Sequence, residues 1–594
     1  MQKKQGIIVN LIGEYQQWQK VNIPDSYTIC VRGYAFIGDQ YYPDKALSHY
    51  LSDCIKNSLP DARVKVLNEL IPKLNGCWAL VYSAENYVLA SVDRVRSIPL
   101  FYAMGNDGII ISDDAKEVLK SMNNTELDNI CVAEFLVAGY ITGKDTLYKG
   151  LYQIQPGEIL KAKVTEKGLE INIERYFRYI FGNYFESSEE ELEDELSNLL
   201  HRVFARYANA LKGKTPVIPV SGGWDSRLLA AMLKRCGVEN AVCFSYGKPG
   251  NAESEASRVI AKTLGYKWLF CPYDEKSWYK WFREDQMSDY IDYASNYSTV
   301  ACLQDWAAVR QILNNELHTI ENDKVFMPGL CFDMLAGIHL IPKPLLLSDM
   351  NKGYKTLLPE SVLSDHYKLW DWNKRCPEFK NPFLNRINEI LPEFSDEDKS
   401  SALRAYETWF FEARPCKFVI NSVRAYEFFN SQWLLPWWDY EIVDFFLRVK
   451  LESRVERKLV GNTLLHKIYV GGMSDLADIP FVGLQLPNSK NQNDERILLK
   501  NIIYQTLRNY APSSARRFIR NIIRWFFYGH PLALHGAFSK TIISKNLKSI
   551  VPNSDQNTVV NKIIDPKIQI PVTMCEINGL FALDHIIRIN TKKI

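Results

Sequence analysis

The chain has 594 residues, 47% hydrophobic and 24% charged, a length that predicts two or three domains of roughly 100–200 residues each. Its net charge of +2 gives no global field to gather nucleic acid or an anionic membrane surface. There is no apolar signal core and no run of about 18 apolar residues, so the expectation is a cytoplasmic protein with no stable membrane insertion.

Residues 1–180 alternate short β-rich runs with turns: GIIVNLIG, SYTICVRGYAFIG, GCWALVYSA, YVLASVD, DGIIISDD and GEILKAKV. Alternation at this period predicts sheet packed on sheet rather than a doubly wound unit. From Ser187, SSEEELEDELSNLLHRVFARYANALKG puts Leu192, Leu196, Leu199 and Leu200 on one face of a helix, with acidic residues opposite. From Thr215 the runs VIPV, AVCFSYG, KWLFCPY and KVFMPG alternate with helical stretches, the pattern of a parallel α/β sheet. Beyond about residue 400 the chain turns helical and aromatic-rich, with no internal repeat. The expected organisation is a β-rich domain over 1–180, an α/β domain over 190–480 and a helical extension over 481–594.

Residues 215–227, TPVIPVSGGWDSR, carry the sharpest chemical signal. A β-branched run (Val217, Ile218, Val220) breaks at Ser221-Gly222-Gly223-Trp224-Asp225-Ser226 and resumes as a helix that stops at Gly237. Two glycines let backbone amides approach an anion, and the following helix points its positive end at the same place. The spacing and lysine of a Walker A loop are missing. The SGGxDS pattern instead resembles the pyrophosphate loop of the ATP pyrophosphatases.

Together with CFSYGKPGNAESEASRVIAKTLGYKW, from Cys243 to Trp268, the loop resembles the synthetase half of the asparagine synthetase family. Phe244, Gly247, Pro249, Gly250, Ala256, Ala261, Leu264 and Gly265 stand where that pattern has them, and Glu253 stands at an acidic position. The family's S-G-E-G-x-D-E-x-x-G-G signature is matched in part by MPGLCFDMLAG: Gly329, Asp333 and Gly337 are present, while Leu330 and Met334 replace acidic residues. The resemblance implies an ATP-dependent ligase that adenylates a carboxylate. ATP would lie on Ser221, Gly222, Gly223, Asp225, Ser226, Phe244, Ser245, Gly247 and Gly329, with Mg2+ on Asp225 and Asp333. Two carboxylates plus phosphate oxygens and waters suit Mg2+, which needs few protein ligands.

The first domain resembles the same family's glutaminase half, an N-terminal-nucleophile fold. LNGCWALVYSAENYVLASVDRVRSIPLFY (Leu74 to Tyr102) and ICVAEFLVAGYITGKDTLYKGLYQIQPGEIL (Ile130 to Leu160) carry that likeness. The resemblance thus implies an Ntn-hydrolase-like β-sandwich followed by a parallel-sheet α/β ATP-pyrophosphatase domain with a helical C-terminal part. Those glutaminases use an N-terminal cysteine whose own amine is the base. Here the sequence begins Met1-Gln2, the substrate-binding N-G-E reads Arg32-Gly33-Tyr34, and the R-L-S-I segment has no counterpart. The twelve cysteines form no C-x-x-C pair, which fits reduced thiols, and Cys30 reads as a buried strand residue. The expectation is an inactive glutaminase-like domain.

YETWFFEARPCKFVINSVRAYEFFNSQWLLPWWDYEIVDFFLRV, from Tyr406, resembles the family's E-x-R-x-P-F-L-D segment, which walls the acceptor site. Asn421, Ser422, Arg424, Glu427, Pro436 and Asp439 are candidates there. Lys417 and Lys458 are candidate cations facing the developing pyrophosphate charge, or exposed surface lysines. The wording of this segment is nearest to the surface-polysaccharide members of the family. Expected partners are therefore a small-molecule carboxylate (aspartate or a sugar carboxylate) and an amine or ammonia, in a chain that could form a homodimer. A β-lactam-synthetase-like internal closure and a non-catalytic nucleotide-binding scaffold are the alternatives. Residues 515–528, ARRFIRNIIRWFFY, form a basic amphipathic stretch suited to a membrane surface or to packing on its own domain.

Overall fold

Strict alternation of side chains across a strand organises the first half of the molecule. Along the strand Asn75–Ala84, Cys77, Ala79 and Val81 enter one core, while Trp78, Leu80 and Tyr82 enter another. The computed structural model describes residues 6–479 apart from 106, 124, 316–321, 338–352, 455–457 and 470–472. The expected extension 481–594, with its basic stretch 515–528, lies outside the described residues, as do Met1 and Gln2.

Asn75–Ala84 belongs to a seven-stranded antiparallel sheet. Its neighbours in order are Gly168–Arg175, Glu158–Thr165, Tyr87–Val92, Asn75–Ala84, Tyr27–Ile37 and Gln19–Ile23, with Gln40–Pro43 paired to Tyr27–Ile37. A four-stranded sheet follows the order Gly6–Val9, Gly108–Ser112, Phe101–Gly105 and Leu151–Gln153. Ile109, Ile111 and Phe101 of that sheet belong to the same buried cluster as Ala79 and Val81, on one face of Asn75–Ala84. On the other face the helices Asp44–Ile55 and Pro60–Leu70 cover Trp78, Leu80 and Tyr82 with Leu47, Leu51, Ile55 and Leu67. The sequence reading missed this helical layer, because DKALSHYLSDCI and PDARVKVLNEL contribute only a few buried side chains each.

The acidic helix forms as expected over Glu189–Ala210, buries Leu192, Leu196, Leu199 and Leu200, and starts with a capping box between Ser188 and Glu191. Beyond it comes an all-parallel five-stranded sheet in the order Lys267–Pro272, Val242–Gly247, Lys214–Pro219, Asp323–Phe326 and Gln432–Trp433. Lys214–Pro219 is central and comes first in the chain. The next two strands add on one side of it and the last two on the other. The connections therefore leave in opposite directions between Lys214–Pro219 and Asp323–Phe326, which makes the crevice at their carboxyl ends a topological switch point. Among the described residues, no helix is long and apolar enough to cross a membrane.

Candidate functional site

Val217 is in register with Phe326, so the segments leaving the two switch-point strands emerge side by side. One is the Ser221–Ser226 loop, running into the helix Trp224–Arg235. The other is Met327–Gly337, containing the short helix Phe332–Leu335. They touch closely. A Cβ on Gly329 would lie 2.6 Å from the Ser226 amide nitrogen and 2.8 Å from the Asp225 carbonyl carbon, so only glycine fits here. The Asp333 amide donates to Asp225 Oδ1 at 3.0 Å, which brings the Asp225 carboxylate to the backbone of a half-buried aspartate 108 positions away.

The loop is held by its own side chains and one helix neighbour. Ser221 N–H donates to Ser226 Oγ (3.0 Å), Gly223 N–H to Ser221 Oγ (3.2 Å) and Gly222 N–H to Glu253 Oε2 (2.9 Å). Arg227 is fully buried and reaches the Leu476 and Ile479 carbonyls and, at 3.4 Å, the Gly222 carbonyl; burial pushes its guanidinium down to about 10. On the adjacent strand Val242–Gly247, the Phe244 carbonyl accepts from Val220 and the Gly247 carbonyl from Tyr273. Ser245 Oγ between them is buried without a hydrogen-bond partner among the described residues. A buried hydroxyl with open valence beside a glycine-lined loop fits a polar ligand such as a nucleotide. Among the described residues no group of three or more His, Cys, Asp or Glu side chains is placed to hold a metal by itself. Asp225 with Asp333 fits only an ion that takes its other ligands from phosphate and water, as Mg2+ does.

Cys331 is the feature that sequence reasoning passed over. It caps the helix Phe332–Leu335 with φ 72°, in the left-handed region where glycine is at ease, and it stands at a glycine of the S-G-E-G-x-D-E pattern. The thiol is buried, and its burial together with Asp333 and Asp225 raises its pKa well above the usual range.

The remaining predicted site residues have the following partners. Pro415 has no amide to donate, and the chain widens there into the π-turn Pro415–Val419 that carries Lys417. Lys417 Nζ donates to the Gly143 carbonyl, and burial, reinforced by Arg96, holds its pKa well below the usual lysine value. Glu427 is completely buried and joins Arg32 (2.8 Å) and Arg424, while accepting from Tyr293 Oη (2.6 Å) and Trp433 Nε1 (3.1 Å). Burial would raise its carboxyl, but Arg32 and Arg424 outweigh that and hold it below the usual range. Arg32 also meets Asp113 at 3.3 Å, so the first residue of Arg32-Gly33-Tyr34 is committed to ion pairs. Asp439 lies between Arg206 and Asn75, Asn421 donates to the Ala294 carbonyl, and Pro436 starts the turn Pro436–Trp438. The helix Lys458–Thr463 packs beside Glu189–Ala210.

Residues 59–177 match the model of the glutamine amidotransferase domain. Two mycobacterial proteins, from Mycobacterium bovis and Mycobacterium tuberculosis, carry the provisional name asparagine synthetase [glutamine-hydrolyzing]. Each is 24% identical over 207 residues, 33% of this chain and 31% of its own length. Among solved structures, the glutamine phosphoribosylpyrophosphate amidotransferase of B. subtilis aligns at 11% identity over 54% of this chain and 60% of its own, with a TM-score of 0.19. The NH3-dependent NAD synthetase of Campylobacter jejuni aligns at 15% identity over 38% and 98%, with the same TM-score of 0.19. Likeness at that TM-score assigns neither fold nor activity. The alignment spans about a third of the curated relatives' length, and with the domain match it supports kinship with the glutamine amidotransferases.

Proposed function

We propose that the chain is an asparagine-synthetase-like ligase that uses ATP to convert a substrate carboxylate into an amide, releasing AMP and pyrophosphate. The observation that carries this reading is the meeting of Asp225 with Asp333 at the switch point, beside a glycine loop at a helix N-terminus. ATP would thread its phosphates past Ser221, Gly222, Gly223 and Ser226, where Gly329 leaves room for close packing. Its nucleoside would lie along Phe244, Ser245 and Gly247. Mg2+ would be held by Asp225 and Asp333, where it would offset phosphate charge.

A carboxylate oxygen of the substrate attacks the α-phosphorus, the bond to the β-phosphate oxygen breaks, and pyrophosphate leaves. An amine nitrogen then attacks the acyl carbon, AMP leaves, and the nitrogen loses a proton. The protein's part is to align these groups and to meet developing charge with fixed donors. Lys417 and Lys458 are the two candidates for the cation facing pyrophosphate, and the ammonium of Lys417 is engaged by the Gly143 carbonyl. The substrate carboxylate belongs to aspartate or a sugar.

The amine comes from ammonia or from the acceptor rather than from glutamine. This follows from Arg32, whose guanidinium pairs with Asp113 and Glu427 at the start of the segment that aligns with N-G-E. Leu330 and Met334, where the family pattern has acidic residues, favour one second reading: a nucleotide-binding scaffold without turnover. Pyrophosphate release from ATP and Mg2+, with a panel of carboxylates and either ammonium or glutamine, separates the readings. We expect release with ammonium, not with glutamine, and at least about a hundredfold loss in Asp225→Ala. Unchanged turnover in Asp225→Ala would sink the mechanism, and glutamine serving as well as ammonium would sink the assignment of the nitrogen source.

A further inference from the structure

Three of the loop amides that would meet phosphate, those of Ser221, Gly222 and Gly223, are already engaged. Ser221 and Gly223 give theirs to Ser226 Oγ and Ser221 Oγ, neutral groups within the loop that can rotate away. Gly222 gives its own to Glu253, a carboxylate from the first turn of the helix Ala252–Thr263. The next peptide of the loop is held as well, since the Gly222 carbonyl accepts from Arg227 Nη2. Glu253 thus already fills the position of an acceptor anion at the loop, and it is anchored on an element of its own.

We propose that Glu253 makes phosphate binding at this loop dependent on a divalent cation. This rests on the adenylation reading above. A phosphate group entering alone must displace one negative charge and remain beside it, and like charges in a half-buried site repel. A phosphate arriving with a cation that Asp225 and Asp333 can hold brings the countercharge with it. Glu253 is therefore a specificity residue: it selects metal-bound nucleotide and pyrophosphate over the free anions, and it speeds loss of a pyrophosphate that has shed its metal. Glu253→Gln removes the charge while keeping a carbonyl oxygen for the Gly222 amide. Glu253→Asp keeps the charge but is one methylene short of the contact.

Calorimetric titration of the full chain with inorganic pyrophosphate, in EDTA and in excess Mg2+, tests the proposal. Glu253→Gln binds pyrophosphate in EDTA at least about tenfold more tightly than wild type, while the two agree within about threefold in Mg2+. If the glutamine variant does not fold, judged by circular dichroism, Glu253→Ala, which also removes the charge, carries the same expectation. Equal affinities in EDTA, or a weaker variant there, overturn the role of Glu253 and leave the adenylation reading standing. Failure of every form to bind either Mg-pyrophosphate or MgATP overturns both.

Discussion

Replacing Glu427 by leucine tests the buried charge cluster that joins the two halves of the molecule. The carboxylate is 0% exposed and meets Arg32 and Arg424, themselves almost fully buried, so solvent screens none of the three. Its loss strands both guanidinium groups, although Arg32 keeps Asp113 at 3.3 Å and Arg424 keeps the Ser97 carbonyl. Removing one partner of such a buried set costs about 3–5 kcal/mol, and those residual contacts favour the lower end of that range. Urea unfolding followed by tryptophan fluorescence reads the loss as a lower midpoint. The double variant Arg32→Leu with Glu427→Leu should lose clearly less than the sum of the singles, because one stranded charge has gone with its partner. A Glu427→Leu single within about 1 kcal/mol of wild type, or strict additivity of the pair, would refute the reasoning. The sign with pH follows from the depressed carboxyl of Glu427. A group held below its unfolded value contributes fully above the ordinary glutamate pKa of about 4.3 and loses that contribution as pH falls through its folded value. The acid limb of wild-type stability should therefore be steeper than that of Glu427→Gln.

Three substitutions around the loop follow from the same geometry. Gly329→Ala places a methyl 2.6 Å from the Ser226 amide nitrogen, so nucleotide affinity measured by calorimetry should fall at least about tenfold while far-ultraviolet circular dichroism stays unchanged. Cys331→Gly relieves a left-handed residue at φ 72°. The relief of roughly 1 kcal/mol should about cancel the added chain entropy and the lost thiol contacts, leaving the thermal midpoint nearly unchanged. Cys331→Val, β-branched at the same φ, should lower that midpoint clearly, and a neutral valine would show that the strain argument is wrong.

What the sequence made legible was local. SGGWDS, the strands on either side of it and the acidic helix with its cap depend on residues a few positions apart, where periodicity and turn chemistry speak directly. The pairing of Asp225 with Asp333 came from family likeness, and the structure supplies its physical form in Gly329 and the Asp333 amide. Lys417 and Glu427 were not readable in this way. The first finds its acceptor 274 positions away, and the second gathers Arg32, Tyr293 and Trp433 from three separate segments. No pattern in YETWFFEARPCKFVINSVRAYEFF says which distant groups Lys417 and Glu427 will meet. Cys331 could have been found, since a non-glycine at a motif glycine announces a left-handed residue before any coordinates exist.

Family likeness is therefore strongest where the local backbone is most constrained, and it weakens where side chains converge from afar. The first half of the chain shows why. Its sheet is kept by alternation along strands such as Asn75–Ala84, and Gly33 is kept because a Cβ there would lie 2.2 Å from the Cys77 carbonyl oxygen. Neither constraint concerns glutamine. Arg32, next to that glycine, is under no such packing demand, and it is turned to Asp113 and Glu427. A strand position beside a packing glycine can thus serve as a brace against the helix that carries Glu427. On this argument Arg32→Asn, which matches the N-G-E asparagine, should weaken the brace and lower stability without giving glutamine hydrolysis, because the framework and the chemistry are specified by different residues.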